Sequence, residues 1–199
     1  MIYLLPGMGA TSAMYDGPWR DLPDSFAINW PDYQGEKTIA DIAARLIAEH
    51  NIAPNDSVIG SSLGGIVALE IHAALNLRQV VLLGGAVTRA EINPLLIALA
   101  PLAKITPLRL IQHLAGKSTA LLSTMYAEVD ADFVRAMCIA ISNWEGYSGD
   151  MSVVTRIHGQ RDHIIRCPKD VETIPNAGHL IAITHAKQCL AIMTEVQPR

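Results

Sequence analysis

The chain has 199 residues, half of them apolar and 17% charged, with a formal net charge of −4. That length suits one domain with a full core and is short for two, the apolar share excludes general disorder, and an acidic balance without a basic stripe points away from nucleic acid and towards a small-molecule partner. Cys138, Cys167 and Cys189 show neither a disulfide framework nor metal-ligand spacing, which fits a reducing, cytoplasmic setting.

Ile2–Leu5 is a short apolar run ending at Pro6-Gly7 and reads as a buried strand. Without basic residues ahead of it, it does not read as a signal peptide. Phe26–Trp30, stopped by Pro31, is a second strand. Thr38-Ile39-Ala40-Asp41 resembles a capping box with Asp in place of Glu, and opens a helix with Ile39, Ile42, Ala43, Leu46 and Ile47 on one face. After a turn at Asn55-Asp56, Ser57-Val58-Ile59 is a third strand running into glycine and serine. Ile66–Leu75 is helical, and Val80–Leu83 is a fourth strand closed by Gly84-Gly85.

Near Val87 the rhythm changes. From Thr88 to Asp150 the pattern is Leu/Ala/Ile-rich and helical, punctuated by Pro94, Pro101, Pro107, Gly116 and Gly146. Its longest apolar stretch, Leu95–Ala103, is broken by Pro101 and too short to span a bilayer, so no membrane span is expected. Strands resume at Val153–Ile157 and Val171–Ile174, and a helix runs from about His179 to Glu195. Strand–helix alternation means a mostly parallel sheet of about six strands between helical layers, an α/β fold. Residues 1–199 are expected to form a single domain, with 88–150 inserted between two strands as helices.

Gly60-Ser61-Ser62-Leu63-Gly64 fits G-x-S-x-G with Ser62 at the centre, preceded by a strand and followed by a helix. A sharp strand-to-helix turn holds its serine in a strained conformation with the hydroxyl exposed, and its close neighbours must be glycine. A hydroxyl is a weak nucleophile until a base takes its proton, so a histidine and a carboxylate should follow later strands. Asp162 lies just past the strand ending at Ile157, and His179 follows the strand ending at Ile174. The order Ser, Asp, His is the one expected of an open parallel sheet, whose sites form beyond the carboxyl ends of its strands. Two backbone donors are needed for an oxyanion: the N–H of Leu63 and, in the loop Pro6-Gly7-Met8-Gly9, the N–H of Met8.

The remaining histidines take plainer roles. His158 is expected to hydrogen-bond locally under the Asp162 loop, His163 merely neighbours the acid, and His50, His72, His113 and His185 sit on helical patterns. Glu128, Asp130 and Asp132 read as a solvated helix start. Neither a metal nor a cofactor is expected, since no His/Cys/Asp cluster, GxGxxG or P-loop is present.

These blocks together resemble the α/β-hydrolase superfamily, and more narrowly its small lid-bearing esterases of the pimeloyl-[acyl-carrier-protein] methyl ester esterase type. The resemblance rests on Leu4-Leu5-Pro6-Gly7-Met8-Gly9, Gly60-Ser61-Ser62-Leu63-Gly64-Gly65, Ile157-His158-Gly159-Gln160-Arg161-Asp162 and Asn176-Ala177-Gly178-His179. It implies a serine hydrolase acting on a small ester or thioester through an acyl-enzyme. It also implies that the insertion is a cap, with Leu95, Leu96, Leu99, Leu102, Met125 and Trp144 as candidate pocket residues. An acyl transferase or lyase on the same scaffold, or a non-catalytic small-molecule binding protein, are the alternatives. Three departures stand out. Pro6 replaces the histidine that usually opens the oxyanion loop. Two strands usual before Ile2–Leu5 are missing, which would leave Phe26–Trp30 as a sheet edge open to a homodimer contact. The proline usual soon after the acid comes late, at Pro168, implying a longer loop.

Overall fold

A computed structural model describes residues 1–99 and 130–196. The strands are β1 Ile2–Leu5, β2 Ser25–Ala27, β3 Ser57–Ser61, β4 Gln79–Leu83, β5 Val154–Gly159 and β6 Glu172–Ile174. The helices are α1 Ile39–His50, α2 Leu63–Leu75, α3 Pro94–Leu99, α4 Ala131–Asn143, α5 Ile181–Thr184 and α6 Ala186–Val196. One sheet runs in the order β2-β1-β3-β4-β5-β6, and every neighbouring pair is parallel. The expected α/β architecture is therefore present, and its sheet is wholly rather than mostly parallel.

Alternating side chains divide the strands between two cores. Tyr3, Leu5, Val58, Val80 and Leu82 pack with the buried faces of α1, α2 and α4. Leu4, Ile59, Val81, Leu83, Ile157 and Ile174 pack on the opposite face with the 3-10 turns Ser12–Tyr15 and Gly17–Asp21 and with α5 and α6. Burial on both faces explains why the strands read as short continuous apolar runs. Helix α1 starts where Asp41 N–H donates to Thr38 Oγ1 (3.1 Å) and Thr38 N–H donates back to Asp41 Oδ2 (2.9 Å), the capping box read from sequence. Asn51 and Asn76 end α1 and α2 in the left-handed conformation that asparagine tolerates.

Two expected elements are corrected. The second strand ends at Ala27, not Trp30: Ile28 N–H still reaches Leu4 O (3.0 Å), but Asn29 Oδ1 accepts from Ser12 N–H (2.7 Å) and Trp30 turns its indole to Gly7 O (2.9 Å). β2 is a sheet edge, with Phe26 half exposed. The last helix is broken at His185, because Trp19 Nε1 donates to Ala182 O (2.7 Å), the acceptor a continuous helix would offer to Ala186.

The connection from β4 to β5 contains, among its described residues, α3, α4 and the 3-10 turn Arg89–Glu91, and no strand beyond an isolated antiparallel bridge between Ile92 and Ile165. Much of the segment expected over 88–150 lies outside the described residues. Residues 160–171 join β5 to β6 without a helix, close to the shortest crossover parallel strands allow. Beside them a cavity of about 840 Å³, lined by Arg78, Met151, Thr155, Lys169 and Glu172, opens at the amino ends of β4, β5 and β6. No described helix is long and apolar enough to cross a membrane.

Candidate active site

In this strand order the chain leaves β1 towards β2 on one side and returns to β3 on the other. The carboxyl ends of β1 and β3 thus flank a switch point, where an open parallel sheet forms its crevice. Ser62 stands there, between β3 and α2, with φ 52 and ψ −113. A side chain in that region costs about 1–3 kcal/mol and persists only where neighbours enforce it. Ser62 N–H donates to Leu83 O (3.1 Å), and its own carbonyl accepts from Gly65 N–H (3.0 Å). A Cβ on Gly60 would run into the Gly64 carbonyl, and one on Gly64 into the end of β1 at Leu5. The outer glycines of G-x-S-x-G are thus required by close backbone approach.

Two further loops reach this point. The loop after β5 carries Asp162 and the loop after β6 carries His179; they are tied together by Gln160 N–H to Ile174 O (3.1 Å) and Arg161 N–H to Ala177 O (2.8 Å). The three sequence-predicted side chains meet: Ser62 Oγ lies 2.9 Å from His179 Nε2, and His179 Nδ1 lies 2.8 Å from Asp162 Oδ2. Asp162 Oδ1 accepts the N–H groups of Ile164 (2.8 Å) and Ile165 (3.0 Å). Burial opposes charge on Asp162. The hydrogen bond from His179, the nearness of that ring and the two amides outweigh burial and hold the carboxyl below its ordinary range. The Asp162 side chain is fully enclosed and that of His179 is 11% exposed, so the relay is shielded at the acid and opens towards the serine.

The loop after β1 lies alongside: a Cβ on Gly7 would sit 3.8 Å from Ser62 Cβ. Among the described residues, neither Met8 N–H nor Leu63 N–H, the two expected oxyanion donors, has a hydrogen-bond partner. Of the expected pocket residues, Leu95 is exposed and Leu96 partly buried. Trp144 is buried with its indole donating to Glu70 Oε1 (2.7 Å), about 12 Å along α2 from Ser62 at 1.5 Å per residue, and so packs the returning segment onto the domain. Leu102 and Met125 lie outside the described residues, as do His113 and Glu128, and the side chain of Leu99 is not described.

His158 is fully buried, but its Nε2 meets Gly85 O (3.1 Å) in the β4 loop and not the Asp162 loop, because the ring points across the sheet to its neighbouring strand. Asp130 caps α4, accepting from Asp132 N–H (2.8 Å), and His72 Nδ1 accepts from Leu77 N–H (3.0 Å) at the end of α2. No group of three or more potential metal ligands comes together among the described residues.

Several supporting residues were missed. Gly84, with φ +62, takes a left-handed conformation that side chains rarely adopt; a Cβ there would press on His179 O at 3.2 Å and touch Asp162 Oδ2 (3.4 Å) and His179 Nδ1 (3.5 Å) at ordinary contact distance, so the glycine lets the β4 loop run against the pair. Sequence marks it only as a strand end. Tyr15 bonds to the backbone at the end of β1, and Met14 and Trp30 to that of the loop after it. In sequence Met14 and Tyr15 are marked only as a thioether and an aromatic residue in a connecting turn, and Trp30 only as the end of the expected second strand.

An open parallel sheet with a strained serine at its switch point, beside a histidine–carboxylate pair from later strand ends, defines an α/β protein with the architecture of the hydrolases. The chain belongs to the alpha/beta hydrolase family, which it matches over residues 2–192. Among solved structures it is similar to the enol-lactonase of Burkholderia xenovorans LB400, with a TM-score of 0.77 at 16% identity, covering 98% of this chain and 89% of that one. A thermophilic esterase from Thermogutta terrifontis aligns with a TM-score of 0.74 at 18% identity over 98% and 89% of the two chains. A carboxylesterase structure from the thaumarchaeon Nitrososphaera gargenis gives 0.74 at 13% identity, over 98% and 88%. No curated protein sequence matches the chain.

Proposed function

We propose that the protein is a serine hydrolase that cleaves a small carboxylic ester or thioester through an acyl-enzyme. The observation that carries this reading is the unbroken relay from Ser62 Oγ through His179 to Asp162, at 2.9 and 2.8 Å. Distances of this size let a proton pass from hydroxyl to imidazole as the oxygen attacks. Names of similar folds (esterase, carboxylesterase, enol-lactonase) point to the same bond class.

In this mechanism Ser62 Oγ adds to the substrate carbonyl carbon while its proton moves to His179 Nε2. The imidazolium is stabilised by Asp162, which stays a carboxylate and fixes the ring with its other proton on Nδ1. The carbonyl oxygen becomes an oxyanion held by the amides of Met8 and Leu63. Collapse breaks the bond to the alcohol or thiol, which leaves with the proton from Nε2. Water then adds to the acyl-enzyme, giving its proton to Nε2, and the acid departs as Ser62 regains its hydrogen. The segment around α3 and α4 acts as a cap, and Leu95, Leu96, Leu99, Leu102 and Met125 are its candidate substrate contacts, Trp144 being taken up by its packing on Glu70. The resemblance to lid-bearing esterases guides the substrate panel.

The test is a panel of p-nitrophenyl esters and thioesters of graded acyl length, with wild type and Ser62→Ala. Turnover should fall by several orders of magnitude in the variant, and a fluorophosphonate probe should label only the wild type. Unchanged turnover in Ser62→Ala refutes the serine mechanism. An added alcohol acceptor separates hydrolysis from acyl transfer, since transfer would yield a new ester in place of free acid.

A further inference from the structure

We propose that Trp30 is a positioning residue for the oxyanion hole, its indole N–H setting the direction in which the Met8 amide points. The inference rests on the serine-hydrolase reading above and adds to it a part that neither motif nor family pattern marks.

Gly7 O accepts two hydrogen bonds, from Trp30 Nε1 at 2.9 Å and from Ala10 N–H at 3.1 Å. The Gly7 carbonyl and the Met8 N–H are opposite ends of one planar trans peptide, so holding the oxygen in one direction aims the hydrogen in the other. The Ala10 bond closes the turn but moves with it, because both partners belong to the loop. Trp30, just past β2, refers the loop to the sheet. Such a reference is needed here, since Gly7 and Gly9, the latter at φ 72, give the loop a freedom that other residues would not. The flanks of Gly7 are also fixed. Its N–H donates to Met14 Sδ (3.2 Å), and Tyr15 O–H donates to Leu5 O (2.6 Å). Pro6 cannot offer the hydrogen-bonding side chain usual at this place in the loop. A residue over twenty positions downstream supplies a bond there instead.

The pin is itself braced. The Trp30 ring stacks on Phe133 of α4, with centroids 5.2 Å apart and planes 30° from parallel. From the same helix Cys138 Sγ meets Met8 Sδ at 3.5 Å. Helix α4 therefore touches both the residue that aims the amide and the residue whose amide is aimed.

Trp30→Phe keeps an aromatic ring for Phe133 and removes the donor. With a p-nitrophenyl ester, kcat should fall by about 10- to 100-fold, towards the loss seen when one oxyanion donor is removed, while KM stays within about twofold. A trifluoromethyl ketone of matching acyl length, whose adduct with the serine bears an oxyanion, should lose affinity by the same factor, whereas the product carboxylate should bind as before. Unchanged kcat, or a loss carried by KM, overturns the proposal. Should Trp30→Phe not fold, Phe133→Leu decides: a loss of kcat matched by loss of ketone affinity is expected, and no change in either refutes the pin. Ser62→Ala separates the two readings. If it keeps turnover, the serine mechanism has failed; if it is inactive while Trp30→Phe is fully active, only the pin has failed.

Discussion

His158 should make the protein lose stability in mild acid by an amount its geometry sets. The ring is fully buried; Nε2 meets Gly85 O at 3.1 Å, while Nδ1 has no partner among the described residues. The ring is therefore neutral with its proton on Nε2, and a second proton would place a cation in the interior. Burial, then the positive charge of Arg156, push its pKa down from an ordinary 6.5 to about 4, against the opposing pull of Asp162, Glu91 and the Gly85 carbonyl. Because the folded value is the lower one, the unfolded chain takes the proton first. The stabilising contribution is complete above pH 6.5 and declines as pH falls from there towards 4. The difference amounts to about 2 kcal/mol at pH 5 and about 3 kcal/mol in the acid limit. At a urea dependence of about 2 kcal/mol per molar, the unfolding midpoint should drop by about 1 M between pH 7.5 and 5 from this residue alone. His158→Gln can keep a donor for Gly85 and cannot titrate, so urea curves of the two proteins at both pH values isolate the effect. Equal pH shifts in wild type and variant would refute the reasoning.

Two other substitutions test the neighbourhood. Ser62→Gly should abolish turnover yet raise the thermal midpoint by about 2–4 °C, since relief of the φ 52 strain exceeds the entropy of a new glycine by about 1 kcal/mol; an unchanged or lower midpoint in calorimetry means the turn is unstrained. Glu91→Ala should cost about 2–3 kcal/mol in urea unfolding, because Glu91 Oε2 accepts both Arg156 Nη2 (2.7 Å) and Val87 N–H (2.8 Å); its loss strands the Val87 donor and leaves Arg156 Nη2 only the long contact to Gly85 O (3.4 Å). A cost below about 0.5 kcal/mol would place the pair among solvated surface bridges.

What could be read from sequence was what local chemistry decides. Ile2–Leu5 is bounded as read because Pro6-Gly7 ends an apolar run, and the start of α1 because Thr38 and Asp41 form a box within four residues. Ser62, Asp162 and His179 were singled out because each follows a strand end, so topology alone brings them to one rim. What was not legible depends on partners distant in the chain. Nothing near Ala182 foretells that Trp19 will take its carbonyl and break the last helix. The early end of β2 is decided by Ser12 and Gly7, not by its own propensity. The direction of the His158 ring was missed likewise, since Gly85 lies on another strand's loop.

The late proline gains a physical meaning from the same long-range logic. Beyond Asp162, residues 163–166 pair with the root of the β4–β5 connection: Asn93 N–H donates to Ile164 O (2.9 Å), Asn93 Nδ2 donates to His163 O (2.9 Å), and Arg166 N–H donates to Glu91 O (2.8 Å). These are the residues whose amides, at 164 and 165, also hold the Asp162 carboxylate. A proline one or two places after the acid would fix φ and remove a donor in the stretch where these amides are needed. With Pro168 placed after the pairing, the loop has enough free N–H groups to bind the carboxylate on one side and lean on residues 91–93 on the other. The loop that holds the acid thus also joins it to the start of the β4–β5 connection, through the bonds to residues 91–93.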